Sequence, residues 1–208
     1  MSIETALLFL GSVAIISLSG VLMPGPVFAV TIACGYNDRR AGWKIALGHT
    51  LVEVPLIIGI FFGLSIFLRN DFIFALIGLL GGGLLIYMGW DMVRKRKEIV
   101  TSCDTRYKDP FMAGVMTTVS NPGWLLWWAT VGAALITTAI TFGLWMLPMF
   151  VVVHISCDLI WEGLIAITVF DTKEKWDNRW HQYMIAGSGV LMIVFAIVFI
   201  VNGVNILL

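Results

Sequence analysis

Charge is what this sequence has least of. Lys, Arg, Asp and Glu make up 12% of the 208 residues, against 59% hydrophobic residues and a mean hydropathy of +0.94. So little charge cannot cover the surface of a water-soluble domain of this size, and the composition points to a membrane. Neither sign dominates, with 13 basic and 13 acidic side chains, so the basic face that a nucleic-acid partner calls for is missing. Cysteine is scarce too. Cys34, Cys103 and Cys157 stand alone, two of them in apolar runs, and point neither to a disulfide framework nor to a paired-thiol metal site. The apolar run after Met1-Ser2-Ile3-Glu4 has no basic segment ahead of it and no small-residue cleavage pattern. It reads as a first membrane span rather than a cleaved signal peptide. There is also no Gly-x-Ser-x-Gly, no His-Glu-x-x-His and no nucleotide motif, which counts against an intramembrane enzyme and calls for no cofactor.

What is present is apolar sequence in long runs. Crossing ~30 Å of hydrocarbon takes about 20 apolar helical residues. Six runs meet that length, at 5–34, 42–68, 72–93, 111–137, 143–170 and 183–206. Only Thr137-Thr138 and Thr141-Phe142-Gly143 hint at a turn between the fourth and the fifth. The expected fold is all-α and polytopic. Twelve of the 13 Lys and Arg fall in loops one, three and five or beside them: Arg39, Arg40 and Lys44; Arg94 to Lys97, Arg106 and Lys108; Lys173, Lys175 and Arg179. Arg69 alone lies on the other side. An excess of Lys and Arg marks the cytoplasmic face, so both termini are expected outside the cytoplasm of a multi-pass cell-membrane protein. Trp43, Trp90, Trp176 and Trp180 fall near the inner boundary, the depth that suits an amphipathic indole.

The two halves of the chain resemble each other. Met23-Pro24-Gly25-Pro26 in span one matches Ser120-Asn121-Pro122-Gly123 in span four. His49-x-x-x-Glu53 in span two matches His154-x-x-x-Asp158 in span five, and the glycine-rich Gly81-Gly82-Gly83 of span three resembles Gly187-Ser188-Gly189 of span six. This predicts two three-helix repeats, 1–97 and 111–208, joined by a cytoplasmic linker at 98–110. Three spans is an odd number, so the second repeat enters from the opposite side, the inverted topology of many secondary transporters.

The residues that could carry chemistry sit at these repeated positions. Proline removes a backbone donor, so Pro24, Pro26 and Pro122, with Gly25, Asn121 and Gly123 beside them, are expected to break helices one and four. The helix starts beyond each break would point their positive ends at a shared centre, a place for a carboxylate. Glu53 and Asp158 lie about 12 residues from the charged loops, roughly 18 Å deep at ~1.5 Å per residue and close to the bilayer centre. An acid there costs ~2.5–3.5 kcal/mol on insertion scales, which favours a functional reading of Glu53, Asp158 and Glu162 over a packing one. His49 stands four residues before Glu53, and His154, Asp158 and Glu162 continue at the same interval, so each set shares a helix face. Glu53 and Asp158 would bind the cationic part of a solute or a coupling proton. Trp124, Trp127 and Trp128 form a further face that packs against neighbours, meets lipid, or lines a cavity and holds a cation.

Met23-Pro24-Gly25-Pro26, the following Asn37-Asp38-Arg39-Arg40-Ala41-Gly42, and Gly48-His49-Thr50-Leu51-Val52-Glu53 resemble the first half of the lysine exporter (LysE/RhtB-type) superfamily. Asn121-Pro122 and Asp158 resemble its second half. Two positions depart from that pattern: Gly123 stands where a basic residue usually follows Asn-Pro, and Glu53 where Asp is common. The resemblance implies a six-span exporter driven by the proton or charge gradient, moving amino acids or related metabolites, with relatives that move metal ions. The leading expectation is therefore a secondary transporter whose partners are the bilayer, protons and a small zwitterionic or cationic solute, with homo-oligomerisation left open. The alternative is a divalent or heavy-metal exporter with His49, Glu53, His154 and Asp158 as ligands.

Overall fold

Apolar residues on the outside and acids on the inside define this molecule. The computed structural model describes residues 2–23, 25–64, 70–101, 109–174 and 178–207, and among these there is no strand. Helices α1 (Ile3–Val21) and α2 (Pro26–Gly35) are followed by α3 (Ala41–Gly59), which runs into a π turn at Ile60–Leu64. Then come α4 (Asp71–Thr101), α5 (Pro110–Val119) and α6 (Pro122–Trp127), a π turn at Trp128–Gly132, α7 (Ala133–Ile140), α8 (Met146–Thr172) and α9 (Asn178–Leu207). Among the described residues, six helical stretches are long and apolar enough to cross a membrane: Ile3–Val21, Ala41–Gly63, Asp71–Glu98, Gly123–Ile140, Met146–Thr172 and Arg179–Leu207. Leu7, Ile15, Leu51, Leu80, Val152 and Ile160 face outward, while Glu53, Asp158 and Glu162 are buried. That is the reverse of a water-soluble domain and suits a protein dissolved in lipid.

The boundaries follow local chemistry. Ser2 caps α1 by accepting the Thr5 N–H, and prolines open α2, α5 and α6 at the first position, where a missing N–H breaks no helical bond. The run expected at 5–34 is interrupted between Val21 and Pro26, and the run at 111–137 between Val119 and Pro122. Pro24 lies outside the described residues, as do Cys103, Trp176, Arg69, Arg106, Lys108 and Lys175. The turn between the fourth and fifth runs spans Thr141–Trp145, with Gly143 at φ +96, a left-handed conformation that glycine adopts without strain. Span three runs further than its apolar pattern, because the Arg94 to Lys97 segment keeps helical propensity after the apolar face has ended. Cys34 is disulfide-bonded although its sequence spacing pointed to no such bond, whereas Cys157 is free.

Close helix contacts set the core. A Cβ on Gly48 would overlap the Phe111 carbonyl, one on Gly114 the Ile45 carbonyl, and one on Gly42 the Glu162 carbonyl. Glycine at these positions lets α3 lie against both α5 and α8. In the antiparallel pair α4–α9, a Cβ on Gly78 would stand 3.0 Å from the Phe199 carbonyl oxygen, and one on Gly203 3.0 Å from that of Ala75. Along α8 the stripe His154–Asp158–Glu162 separates two apolar clusters, one containing Met146 and Phe150, the other Ile165 and Val169. At the charged end, Arg39 grips Asp171 through two hydrogen bonds of 3.0 Å and Lys173 Nζ donates to the Tyr36 carbonyl at 3.0 Å. Beside them the Lys44 ammonium holds the Asp38 carboxyl below its ordinary value, and Asp171 raises that of Arg39. These bonds tie the α2–α3 loop to the end of α8.

Candidate functional site

Glu53 is the hub. Its Oε1 accepts hydrogen bonds from Trp124 Nε1 at 2.9 Å and Trp128 Nε1 at 3.0 Å, and shares a third with His49 Nε2 at 3.0 Å. His154 Nε2 lies 3.3 Å from the other oxygen, Oε2, which makes no hydrogen bond. Four ring nitrogens thus surround one carboxyl that is 1% exposed. The i to i+4 spacing puts His49 on the same face of α3 as Glu53, the π turn beginning at Trp128 widens the helix where its indole enters, and glycine contacts bring α3 within reach of α8.

Thr118 Oγ1 lies 2.7 Å from both the Gly114 carbonyl oxygen and His49 Nδ1, and its single hydrogen serves one of them at a time. Two bare lone pairs cannot face each other at 3.0 Å, so a proton lies between His49 Nε2 and Glu53 Oε1, on the imidazole or on the carboxyl. On the opposite side His154 Nδ1 meets Ser17 Oγ at 2.7 Å, giving a chain Ser17–His154–Glu53–His49–Thr118 across α1, α8, α3 and α5.

The two His–acid pairs are not equivalent. His49 is bonded to Glu53, whereas His154 Nε2 and Asp158 Oδ2 stand 3.8 Å apart. Asp158 Oδ2 and Glu162 Oε2 are buried with no hydrogen-bond partner. An unmet buried oxygen costs about 1–3 kcal/mol, so a carboxyl that keeps one is a place for a proton, water or cation to bind. All five side chains, His49, Glu53, His154, Asp158 and Glu162, line one cavity of about 100 Å³, room for several waters or part of a small solute.

Both helix breaks reach that cavity. Gly25 and Pro26 line it from the first break, Asn121 and Gly123 from the second, and Pro122 opens α6. The breaks differ in what they offer. Asn121 Oδ1 accepts the Gly123 N–H at 3.1 Å, so the second helix start caps itself, while Gly25 makes no side-chain cap to α2. The pattern-based reading missed Thr118 and Ser17, which nothing in an apolar run marks out, and the role of the tryptophans. Trp128 is fully buried and Trp124 is half-buried against the cavity; their N–H groups, as much as their ring faces, do the holding.

The sequence pattern of the family described as LysE type translocator matches residues 18–203, a stretch that includes both breaks and every acid above. The chain belongs to this family. It is a multi-pass membrane translocator. It is 28% identical over 194 residues to a Bacillus subtilis (strain 168) protein named "Putative amino acid efflux protein YcgF", covering 88% of this chain and 91% of that one. A second relative, named "Uncharacterized membrane protein" in Haemophilus influenzae (strain ATCC 51907 / DSM 11121 / KW20 / Rd), is 24% identical over 201 residues, covering 92% of this chain and 95% of its own. No solved structure matches.

Proposed function

We propose that this translocator exports an amino acid or related small metabolite across the cell membrane in exchange for protons. The observation that carries the reading is three buried acids around one cavity, with Glu53 Oε2, Asp158 Oδ2 and Glu162 Oε2 all lacking hydrogen-bond partners. The efflux role in the name of the Bacillus subtilis relative supports it. Roles divide by what each acid already holds. Glu53, gripped by two indole N–H donors and hydrogen-bonded to His49, exchanges the coupling proton with that imidazole. Asp158 and Glu162, one turn apart on α8 with open oxygens, take the solute ammonium. The uncapped start of α2 at Gly25, where the Val27 and Phe28 N–H groups precede the first helical bonds, takes its carboxylate. In this reading residues 1–97 and 111–208 form inverted repeats, both termini lie outside the cytoplasm, and the site sits at the repeat interface.

A second reading has one observation behind it: ligand atoms of His49, Glu53 and Asp158 lie within 4.8 Å of one another, as a metal cargo would need. It is weaker because two indole N–H groups already occupy Glu53 Oε1. The purified protein in liposomes separates the two. Counterflow of labelled amino acids without response to zinc or manganese supports amino-acid export, whereas metal flux without amino-acid counterflow overturns it.

A further inference from the structure

We infer that the solute carries an apolar side chain, lodged against the apolar residues that α4 and α9 contribute to the cavity. The inference rests on the amino-acid reading above and names the class of amino acid. The cavity lining is chemically divided by helix. α3 and α8 contribute the histidines and acids; α4 and α9 contribute Leu85, Met192, Phe195 and Phe199, and Phe28 of α2 stands with them. Leu85 and Met192 belong to one apolar cluster with Phe28 and Phe199 packed against it. No Lys or Arg lines the cavity among the described residues.

These facts select by charge and shape. One ammonium between Asp158 and Glu162 uses the open oxygens of both, while Glu53 Oε1 already holds two indole N–H groups. With the ammonium held on α8, a basic side chain would set its second cation against leucine, methionine and phenylalanine. An acidic side chain would meet the same wall without a basic partner, close to three carboxyls. A hydroxyl placed against Leu85, Met192, Phe195 and Phe199 would leave water for side chains that offer it no hydrogen bond. A branched aliphatic or thioether side chain loses nothing polar there and buries its apolar surface. A pocket of this kind discriminates by roughly tenfold or more per methylene.

The test is counterflow in proteoliposomes with leucine, methionine, alanine, serine, lysine and aspartate. Leucine and methionine are expected to exceed alanine, serine, lysine and aspartate by about tenfold or more in kcat/KM. Met192→Ala widens the apolar wall and is expected to lower leucine transport while raising phenylalanine relative to leucine; a merely structural defect would lower all solutes alike. Leu85→Phe narrows the same wall and is expected to move the preference from leucine toward alanine. If lysine, aspartate or serine is carried best, or if neither variant changes the order of preference, the inference is overturned while amino-acid export stands. If no amino acid is carried at all, the export reading falls and takes this inference with it.

Discussion

Replacing Thr118 with valine tests the hydrogen bond that holds His49 at the centre of the site. The two side chains have nearly the same shape, so the substitution opens no cavity at a residue with no exposed surface. What it removes is the oxygen 2.7 Å from His49 Nδ1. The imidazole cannot escape by changing tautomer, because a hydrogen on Nδ1 would point at a methyl group and a bare Nδ1 would be an unmet acceptor. Leaving one buried polar atom without its partner costs about 1–3 kcal/mol. For a chain of this length each kcal/mol moves the unfolding midpoint by roughly 2–4 °C, so Thr118→Val should fall by about 2–12 °C. Thr118→Ser keeps the hydroxyl and should recover most of the difference while losing a methyl group. The assay is thermal unfolding of the detergent-solubilised protein, with ligand-free samples of all three forms compared side by side. A valine variant as stable as the parent, or less harmed than the serine variant, would refute the assignment of a hydrogen bond between His49 and Thr118.

Other expectations follow from neighbouring contacts. Trp124→Phe and Trp128→Phe each remove one N–H from Glu53 Oε1, at about 1–3 kcal/mol per lost bond, and should slow transport more together than either does alone. Gly114→Val drives a side chain into the Ile45 carbonyl and should abolish folded protein, read as loss of a monodisperse peak in size-exclusion chromatography. Gly11→Ala meets nothing within 4 Å and should be neutral or stabilising by up to about 1 kcal/mol. Lys44 holds Asp38 below its ordinary value of 3.8. A lowered carboxyl contributes stability above its ordinary range and loses it as pH falls through the lowered value. The unfolding midpoint should therefore drop more steeply below about pH 4 in the parent than in Lys44→Met, and equal slopes would contradict this ion pair.

Much of this architecture is legible in the residues. Long apolar runs and the placement of Lys and Arg indicate spans, because the bilayer leaves the backbone few alternatives. The breaks near Gly25 and Asn121 are readable because proline chemistry is local. The i to i+4 spacing of His49–Glu53 and of His154–Asp158–Glu162 is readable because a helix has one period. Three-dimensional contacts leave weaker traces. Nothing in a run of apolar residues says that Trp128 turns its N–H onto an acid 75 positions earlier, or that Thr118 and Ser17 are the hydroxyls that hold the two imidazoles. The near-symmetry of the two His–acid pairs conceals a difference that only geometry supplies: His49 is hydrogen-bonded to Glu53, while His154 and Asp158 stand 3.8 Å apart. The second break resembles the first in sequence, yet Asn121 caps its own helix and Gly25 leaves α2 uncapped, since glycine has no side chain to accept with.

The division of labour among the acids is tested most directly by proton coupling in vesicles. Solute counterflow and solute-driven proton movement would be measured together for the parent, Glu53→Gln, and the paired Asp158→Asn, Glu162→Gln variant. Glu53→Gln keeps an oxygen for the two indoles, so it should exchange solute while no longer moving protons, and the paired α8 variant should exchange no solute. Proton movement that persists undiminished in Glu53→Gln, or solute exchange that survives loss of both α8 acids, would contradict the account.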